Sequence, residues 1–405
     1  MLRAAIIRLF RGRHYWRNVS FDEIAELYAS RLITIFAINT VNLFAAIYLY
    51  KLGYSFVFIA LFYALFFAVR ALSAPLAAKY VAYYGPKHGV LVSNLLRIPS
   101  LIAFAWLPVA GDYSLLSIAL FGLFQQLSVG LYDISYLVDF SKVRHVDHSG
   151  KEIGVMQQME KVARILSPLI GGLVASLWSP EATIVIASAL FLVAAMPLFK
   201  TVEPTQLRGR IKMSGFPWRL AWRSFLSESA VGFDSIVSGM VWTLFIAVTV
   251  FATFGNGVYA SLGGLASLGT FASIVAVWVF GRIIDRHHGD VLLVLGTVTN
   301  TVMHLVRPFT SSVTGVMGVN IANESATSAY AMPFTRVMFD IADSSGFRIA
   351  YMMVIEIMVC SGAVLACLLF AACVGLWGTV MGCTVLFFIA AFYEFLILLS
   401  ARAAR

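Results

Sequence analysis

The sequence predicts an all-α membrane protein of twelve transmembrane helices, arranged as two pseudo-symmetric six-helix bundles. Of the 405 residues, 60% are hydrophobic and only 12% are charged, about half the charged fraction of a typical soluble domain. The apolar runs are long and do not alternate, which favours helices over a barrel, because backbone groups in lipid must be satisfied within the segment. Short motifs also recur in the two halves of the chain.

Each predicted span is an apolar stretch of about 20 residues or more, the length that a helix needs to cross the hydrocarbon. The first-half spans cover 27–50, 54–84, 88–109, 112–140, 152–178 and 180–199. The second-half spans cover 225–254, 257–285, 290–310, 312–340, 347–374 and 376–401.

Two basic stretches separate these bundles from the rest of the chain. Residues 1–26 are predicted to form a basic amphipathic segment in the membrane interface. Residues 200–224 form the longest basic connection and are predicted to be a cytoplasmic linker. The first bundle is therefore expected at 27–199 and the second at 225–405.

The loop charges predict the orientation of the chain. Lys and Arg collect before span 1 and in alternate loops, at 79–87, 142–151, 200–224, 282–286 and 336–348. The positive-inside rule then places both termini in the cytoplasm. We expect an integral protein of a bacterial cytoplasmic membrane, a monomer whose net charge of +9 meets anionic lipid headgroups rather than nucleic acid.

The repeat is visible at three matching places. Ser20-Phe21 precedes span 1 as Ser224-Phe225 precedes span 7, and the FSKV after span 4 matches the FTRV after span 10. The segment from Ile153 to Glu160 matches the segment from Ile349 to Glu356. All three pairs are separated by roughly 200 residues, as one duplication would leave them. Repeats of the same membrane orientation form two bundles with a site at their interface.

The loop between spans 8 and 9, GRIIDRHHG at 281–289, resembles the G-x-x-x-D-R-x-G loop of the major facilitator superfamily, with one extra residue before the last glycine. The loop between spans 2 and 3 keeps only the Gly-Pro-Lys ending and has lost the Asp and Arg. The gate is therefore expected to be pinned mainly in the second half. The gating-loop candidates are Gly281, Arg282, Asp285, Arg286, Gly85, Pro86 and Lys87.

The resemblance implies a secondary active transporter that works by alternating access and is not an enzyme. Proton coupling is expected, since carboxylates occur within spans and the sequence contains no nucleotide-binding motif. The segment Ser167-Pro-Leu-Ile-Gly-Gly172 in span 5 is similar to the G-P-x-x-G-G element of many exporters in the superfamily. Export of a small, partly apolar solute follows as the expectation.

Three other functions stay open on the sequence. A lipid or glycolipid flippase of the same fold is a close variant, and a non-transporting receptor or scaffold would retain the fold. A membrane-embedded enzyme would need clustered acid, base or metal-binding groups, and none stands at a convincing spacing. The four cysteines lie in apolar runs, and the pair His145 and His148 fits a solvated turn, so neither a cofactor nor a metal is predicted.

Polar residues within spans are the site candidates, because an ionisable group there costs about 3 kcal/mol unless it has a partner or water. The substrate or proton site candidates are Asn39, Asn42, Arg70, Gln126, Asp133, Gln157, Glu160, Arg164, Asp234, Asn320, Glu324 and Glu356.

Arg70 is the most informative of these candidates, since a guanidinium cannot deprotonate. Pairing with a carboxylate, for which Asp133 is the proposed partner, competes with attraction of an anionic substrate. Asp133 and Glu324 are each expected either in the cavity or in a hydrogen bond between helices. Asn39 and Asn42 share a helix face and either bind substrate or join helices.

Glu160 and Arg164 are four residues apart and can pair along one helix. Alternatively, Glu160 or its repeat mate Glu356 faces the cavity and exchanges protons. Glu356 has no basic neighbour at helical spacing, which favours the protonatable role for it. Arg31 and Arg97 stand near the cytoplasmic ends of their spans and are expected to snorkel toward water.

Overall fold

The computed structural model describes residues 21–143, 149–199, 213–284 and 289–402, and this described part contains twelve principal helices. The first six are α1 (Phe21–Lys51), α2 (Phe56–Tyr84), α3 (Pro86–Trp106), α4 (Ser114–Val143), α5 (Ser149–Leu177) and α6 (Pro180–Ala195). The second six are α7 (Trp218–Thr249), α8 (Gly257–Ile284), α9 (Gly289–Val306), α10 (Val313–Ser345), α11 (Arg348–Trp377) and α12 (Thr379–Tyr393). A 3₁₀ segment, Glu394–Arg402, follows α12.

Ten of these helices are apolar and long enough to cross a membrane, over the described residues. The other two are α5 and α10. Both carry charged or amide residues along much of their length, including Lys161 and Arg164 in α5 and Asn320 and Glu324 in α10. Their polarity has a structural reason, because each packs against helices of the bundle and lines polar contacts there.

The two six-helix groups are related by the repeat. In the first group α3 packs on α4 and α6, and in the second α9 packs on α10 and α12. Between the groups the main contacts are α2 with α11 and α5 with α8. Under a six-helix repeat α2 corresponds to α8 and α5 to α11, so these two contacts are symmetry mates. The predicted all-α fold of two pseudo-symmetric bundles is confirmed.

Helix ends follow local sequence signals. Gly85, at φ 93°, ends α2, and Pro86 occupies the first turn of α3, where its missing N–H costs nothing. Ser179 caps α6 by accepting a hydrogen bond from the backbone N–H of Ala182 at 3.1 Å. With alternating helices, the start of α1 and the end of α12 lie on one face, here named the termini face. The other side is the opposite face.

Helix α7 begins at Trp218, seven residues before the predicted start of span 7. Residues 218–224 were predicted as linker because Arg219 and Arg223 lower their hydropathy. Trp218 and Trp222 are exposed and Ala221 is buried. This stretch is therefore an amphipathic first part of α7. The rest of the predicted linker up to residue 212 lies outside the described residues, as do residues 1–20 of the predicted amphipathic segment.

A π-helical turn, Val237–Val241, interrupts α7. Such turns widen the helix by one residue and occur frequently at functional sites. Ser235, Gly239 and Met240 lie in or beside this turn and form part of the wall of a cavity. The π turn therefore brings the second half to the candidate site.

Candidate functional site

A cavity of ≈ 330 Å³ lies between α1, α2 and α4 of the first half and the π turn of α7. We name it the central cavity. Its polar lining consists of Asn39, Asn42, Arg70, Gln125, Gln126 and Ser235. Its aromatic lining consists of Phe62, Tyr63, Phe66, Phe67 and Phe121. Four sequence-predicted site residues, Asn39, Asn42, Arg70 and Gln126, are thus brought together.

Arg70 joins three helices at the wall of the central cavity. Its Nη2 donates to Oδ2 of Asp133 on α4 at 2.6 Å, and its Nε donates to Oε1 of Glu356 on α11. The predicted pairing with Asp133 is present, and a second carboxylate from the other half completes the set. With one cation against two carboxylates, these three residues carry a formal net charge of −1. We name them the arginine cluster.

The amide side chains of the cavity differ in how many of their donors and acceptors have a hydrogen-bond partner. Nδ2 of Asn39 donates to the carbonyl of Ile35 in its own helix at 2.8 Å. Oε1 of Gln125 accepts from the Ser100 hydroxyl at 3.4 Å. Gln126 is 8% exposed, and its buried Oε1 has no hydrogen-bond partner in the described part of the chain. Asn42 is exposed. The cavity therefore retains unused donors and acceptors.

The contact between α5 and α8 depends on glycines. A Cβ on Gly172 would stand 2.5 Å from the carbonyl oxygen of Tyr259, and one on Gly263 would stand 2.2 Å from that of Pro168. Both obstacles are backbone atoms of the other half, so no side-chain movement relieves them. Gly171 faces Thr40 of α1 instead. The paired glycines of the predicted export-like segment thus pack in two directions, one within the half and one across it.

Lys161 provides a second polar link between the halves. Its Nζ donates to the hydroxyls of Ser273 on α8 and Ser328 on α10, both at 2.9 Å. Glu324 lies close enough to Lys161 and Arg164 for electrostatic attraction. Arg164 is half exposed, and its Nη2 is 3.8 Å from Glu160 Oε2. Glu324 and Arg164 therefore belong to the α5–α8–α10 contact and not to the lining of the central cavity.

Glu160 takes its nearer partner from another helix. Nε of Arg31 on α1 donates to its Oε1 at 2.8 Å, closer than Arg164. The guanidinium of Arg31 also lies 3.9 Å from the ring centroid of Tyr136. The predicted pairing with Arg164 is therefore secondary. Glu160 pairs within its own half, whereas its repeat mate Glu356 pairs across the halves.

The expectation that Arg31 and Arg97 snorkel to water is wrong. Arg97 is 1% exposed, its Nε donates to the Ser128 hydroxyl at 2.9 Å, and its guanidinium lies 4.9 Å from the Phe191 ring centroid. Arg31 is held by Glu160 instead of reaching outward. Both side chains turn into the bundle because hydroxyl, carboxylate and aromatic partners there compensate for lost hydration.

The second half contains a buried polar network beside the π turn. Asp234 accepts from Ser238 at 2.6 Å, and from Tyr330 at 3.2 Å. Arg307, which is fully buried, donates to Ser238 at 2.9 Å and to Asn323 at 2.8 Å. Because Ser238 belongs to the π turn, the network holds that turn from the side away from the central cavity. Asp234 therefore lies behind the cavity wall.

Asn320 and Asn300 extend polar contacts across the same half. Oδ1 of Asn320 accepts from the indole N–H of Trp242 at 2.7 Å. Nδ2 of Asn300 donates to Oε1 of Glu394 at 2.7 Å. Both amides satisfy buried groups between helices. Their geometry is that of the helix-joining role that intramembrane amides often serve.

Three residues of this network have the spacing of metal ligands. Asp234, His304 and Glu394 each place a ligand atom within 4.8 Å of the others. However, Nη1 of Arg307 lies 2.7 Å from Nδ1 of His304, and a guanidinium can only donate. Nδ1 therefore accepts, so Nε2 carries the proton and donates to Asp234 at 2.9 Å. The imidazole then has no free lone pair for a cation, and the group fits a hydrogen-bond network better.

The structure describes the first predicted gating loop completely and the second only in part. In the first, Gly85 makes the tight turn and Nζ of Lys87 lies 3.3 Å from Oε2 of Glu26 on α1. This loop thus keeps a cationic link although it lacks the Asp and Arg. In the second, Gly281 and Arg282 fall in the last turn of α8, while Asp285 and Arg286 lie outside the described residues. His145 and His148 also lie outside them, and Gln157 is placed only as part of α5.

Four buried or partly buried ionisable residues were missed by the sequence reasoning. Lys161, Arg307 and Glu394 are part of the polar links above. Glu228 on α7 is buried, its Oε1 has no hydrogen-bond partner in the described part of the chain, and it lies close enough to Glu356 for repulsion. Their positions within the predicted spans were the available signal.

Comparisons with known proteins identify the fold of this chain but not its site. The sequence profile of the Major Facilitator Superfamily matches residues 27–366. No curated protein sequence matches the chain. Solved structures are similar over nearly the whole chain, and at these identities they show the fold alone.

Three of those structures show the extent of the likeness. A mutant of the nucleoside transporter NupG has a TM-score of 0.67 at 11% identity, over 94% of this chain and 99% of its own. A bacterial homologue of the iron transporter ferroportin in an inward-facing state has 0.67 at 12%, over 94% and 98%. A variant of the E. coli fucose:proton symporter FucP has 0.65 at 14%, over 95% and 99%.

Proposed function

Because the chain belongs to the Major Facilitator Superfamily, we propose that it is a secondary active transporter that carries a small solute by alternating access. The observation that supports this most directly is the position of the central cavity. It lies between the two halves, and Arg70 on its wall is ion-paired to Glu356 of the other half. A cavity bounded by a breakable link between two moving bodies is what alternating access requires. The moving bodies are the helices α1–α6 and the helices α7–α12.

The opposite face carries a second link between the halves. Nζ of Lys51, at the end of α1, donates to the carbonyl of Gly255 and lies 3.2 Å from Oδ1 of Asn256. Its ammonium also lies 5.0 Å from the ring centroid of Tyr259. We name this contact the Lys51 clasp. It joins the two halves at the opposite face, and on this proposal it has to open when the cavity faces that side.

Proton coupling is proposed through the arginine cluster. Protonation of Glu356 would remove the charge that attracts Arg70 to α11, while Asp133 would still hold the guanidinium within the first half. The halves could then separate without leaving Arg70 unpaired, which is the costly outcome for a buried cation. The fold is shared with a fucose:proton symporter, which is consistent with such coupling.

The cargo is proposed to be a small, partly apolar solute, and the direction to be export against an inward proton movement. The lining supports the first point, since amides and aromatic rings share the central cavity. The Ser167-Pro-Leu-Ile-Gly-Gly172 segment supports the second. We propose a monomer in a bacterial cytoplasmic membrane with both termini inside.

Labelling of a cavity cysteine from each side of the membrane tests alternating access without any knowledge of the solute. Asn42 is exposed and lines the central cavity, whereas the four native cysteines are buried. In sealed vesicles of either orientation, Asn42→Cys should react with a membrane-impermeant maleimide from both sides. Phe388→Cys, at an exposed position of α12, is the lipid-facing control and should react from neither.

The Lys51 clasp supplies the second arm of this experiment. Lys51→Cys and Asn256→Cys can be bridged by a bifunctional thiol reagent, in combination with Asn42→Cys protected by a reversible blocking group. Bridging should abolish labelling from the opposite face and leave labelling from the termini face. Reaction of Asn42→Cys from one side only in the unbridged protein, or from both sides after bridging, would contradict the proposal.

A further inference from the structure

We infer that the central cavity binds an uncharged ring that carries several hydroxyl groups, in the size range of a monosaccharide or a nucleoside. This inference rests on the proposed transport function and specifies its substrate class. Three properties of the cavity lead to it: the amides, the aromatic rings, and a described lining whose one cation, Arg70, is already ion-paired.

The amides match hydroxyl groups in kind. Asn39, Asn42, Gln125 and Gln126 all line the cavity, and an amide presents a donor and an acceptor side by side. A hydroxyl group is also both donor and acceptor, so neighbouring hydroxyls on a ring can engage one amide twice. A purely apolar solute would desolvate the remaining donors and acceptors of these amides without pairing them, which is unfavourable.

Gln126 gives the sharpest indication of a donor on the ligand. Its side chain is nine-tenths buried and belongs to the cavity lining, yet Oε1 has no hydrogen-bond partner in the described part of the chain. Buried polar atoms in native proteins are almost always satisfied. Because Gln126 is a lining residue, an O–H or N–H donor from a bound solute is the partner that we assign to this amide.

Four of the five aromatic lining residues come from α2, and the fifth, Phe121, comes from α4. Phe62 lies edge-on to Phe66 at 4.3 Å between centroids and stacks on Phe121 at 6.0 Å, and Tyr63 stacks with Phe67 at 6.5 Å. Gly122 leaves the space that the Phe66 ring occupies, since a Cβ there would stand 1.9 Å from it. A cavity lined by both aromatic rings and amides suits a ring with a C–H or aromatic face and a polar edge.

Charge argues against an anion. Arg70 is the one cationic residue of the described lining, and both of its ion-pair partners are carboxylates. An anionic solute would have to displace one of them and meet the other. The arginine cluster carries a formal charge of −1, which a proton on Glu356 cancels. A neutral solute is therefore compatible with both protonation states of the cluster.

Size points to one or two rings. The cavity volume of ≈ 330 Å³ lies at the lower end of the range of about 300–1,000 Å³ for small-molecule sites. Gly239 of the π turn lines this space, and a Cβ built on it meets no atom within 4 Å. A side chain at position 239 would therefore extend into the cavity without displacing the backbone.

Binding to the purified full-length protein tests the substrate class. Radiolabelled aldoses and ribonucleosides are compared with tetraphenylphosphonium, lysine and citrate by equilibrium binding, in wild type and in Gly239→Leu. At least one neutral polyhydroxylated ring should bind, and Gly239→Leu should weaken it more than about tenfold. Gln126→Leu should weaken the same solute by about three- to tenfold, the value of one hydrogen bond.

Gly375→Leu is the matched control. Gly375 is also a helical glycine with no atom within 4 Å of its built Cβ, but it lies on an exposed part of α11 and not in the cavity lining. The Gly375→Leu protein should bind the ring solute as the wild type does. The aldose and ribonucleoside arms decide which source of hydroxylated ring is recognised.

The inference is overturned if no neutral ring binds, if a charged solute binds instead, or if Gly239→Leu and Gly375→Leu behave alike. These outcomes are separate from failure of the proposed function. Two-sided labelling of Asn42→Cys together with binding of a charged solute would leave a transporter of another substrate class. Binding of a ring with one-sided labelling would leave a binding protein that does not transport.

Discussion

Arg70 of α2 and Glu356 of α11 form an ion pair between the two halves of the molecule, while Asp133 of α4 holds the same guanidinium from within the first half. Two carboxylates, one from each half, therefore share a single guanidinium. Glu160, the repeat mate of Glu356, pairs with Arg31 inside its own half. The two glutamates of the repeat therefore have different partners, one across the halves and one within the first half. We expect their substitution to have different effects on transport.

Glu356→Gln is expected to uncouple transport from the proton gradient. The amide keeps the shape of the carboxylate but removes the charge that a proton would remove transiently, so the link across the halves is weakened permanently. Solute exchange at equal pH should persist, whereas accumulation driven by a pH gradient should fall more than about tenfold. Proteoliposomes and the aldose and ribonucleoside panel provide both measurements.

The matched variant is Glu160→Gln. It removes a buried carboxylate from the same repeat position, but the broken pair lies within one half. Gradient-driven accumulation should therefore be retained, with a reduced thermal midpoint in detergent. Equal loss of coupling in both variants, or in neither, would contradict the assignment to the arginine cluster.

Removal of the cation should destabilise the protein more than removal of the cluster as a whole. Arg70→Leu leaves the partly exposed Asp133 and the buried Glu356 without their shared partner, and the unpaired buried carboxylate of Glu356 costs about 3–5 kcal/mol. The triple change Arg70→Leu, Asp133→Leu and Glu356→Leu leaves no unpaired charge and should recover part of the loss. Thermal unfolding in detergent measures both, and a triple variant less stable than Arg70→Leu would refute this account.

The α5–α8 contact predicts different effects at two adjacent glycines. Gly263→Val places a Cβ against the backbone carbonyl of Pro168, so the two halves cannot approach on this side. Gly264→Val adds the same side chain where a Cβ meets no atom within 4 Å. We expect loss of transport in the first and near wild-type transport in the second. Two-sided labelling of Asn42→Cys in each background shows whether closure is the step affected.

Arg307 is expected to support the π turn. Arg307→Met removes the donors to Ser238, Asn323 and His304 and should lower the thermal midpoint and solute affinity together. Arg336→Met is the control, because the Arg336 side chain is 65% exposed and its pair with Asp340 spans 3.9 Å. Unchanged affinity in Arg307→Met would separate the network from the cavity wall.

Much of this architecture could be predicted because hydropathy and spacing are local properties. The helix bounds, the repeat and the pairing of Arg70 with Asp133 were all within reach of the sequence. The start of α7 was misplaced because Arg219 and Arg223 lower hydropathy without ending the helix. The partner of Glu356 could not be found at helical spacing, since Arg70 stands 286 positions away.

The burial of Arg97 marks the limit of that local reasoning. From sequence it stands near a helix end, where snorkelling is the usual solution. Its actual partners, Ser128 and the rings of Tyr132 and Phe191, come from α4 and α6. Whether a long cation turns inward depends on groups that only packing brings to it.

The sequence by itself determined that this chain crosses a membrane as two sets of six helices. The length of the apolar segments and the internal repeat are both properties of the residue order alone. The tertiary structure decided which polar residues face each other. It placed Asn42 and Gln126 in a cavity, Glu356 on the link between halves and Asp234 behind the π turn. The physical reason is that a buried polar group is stable only with a partner, and helix packing determines which partner is within reach.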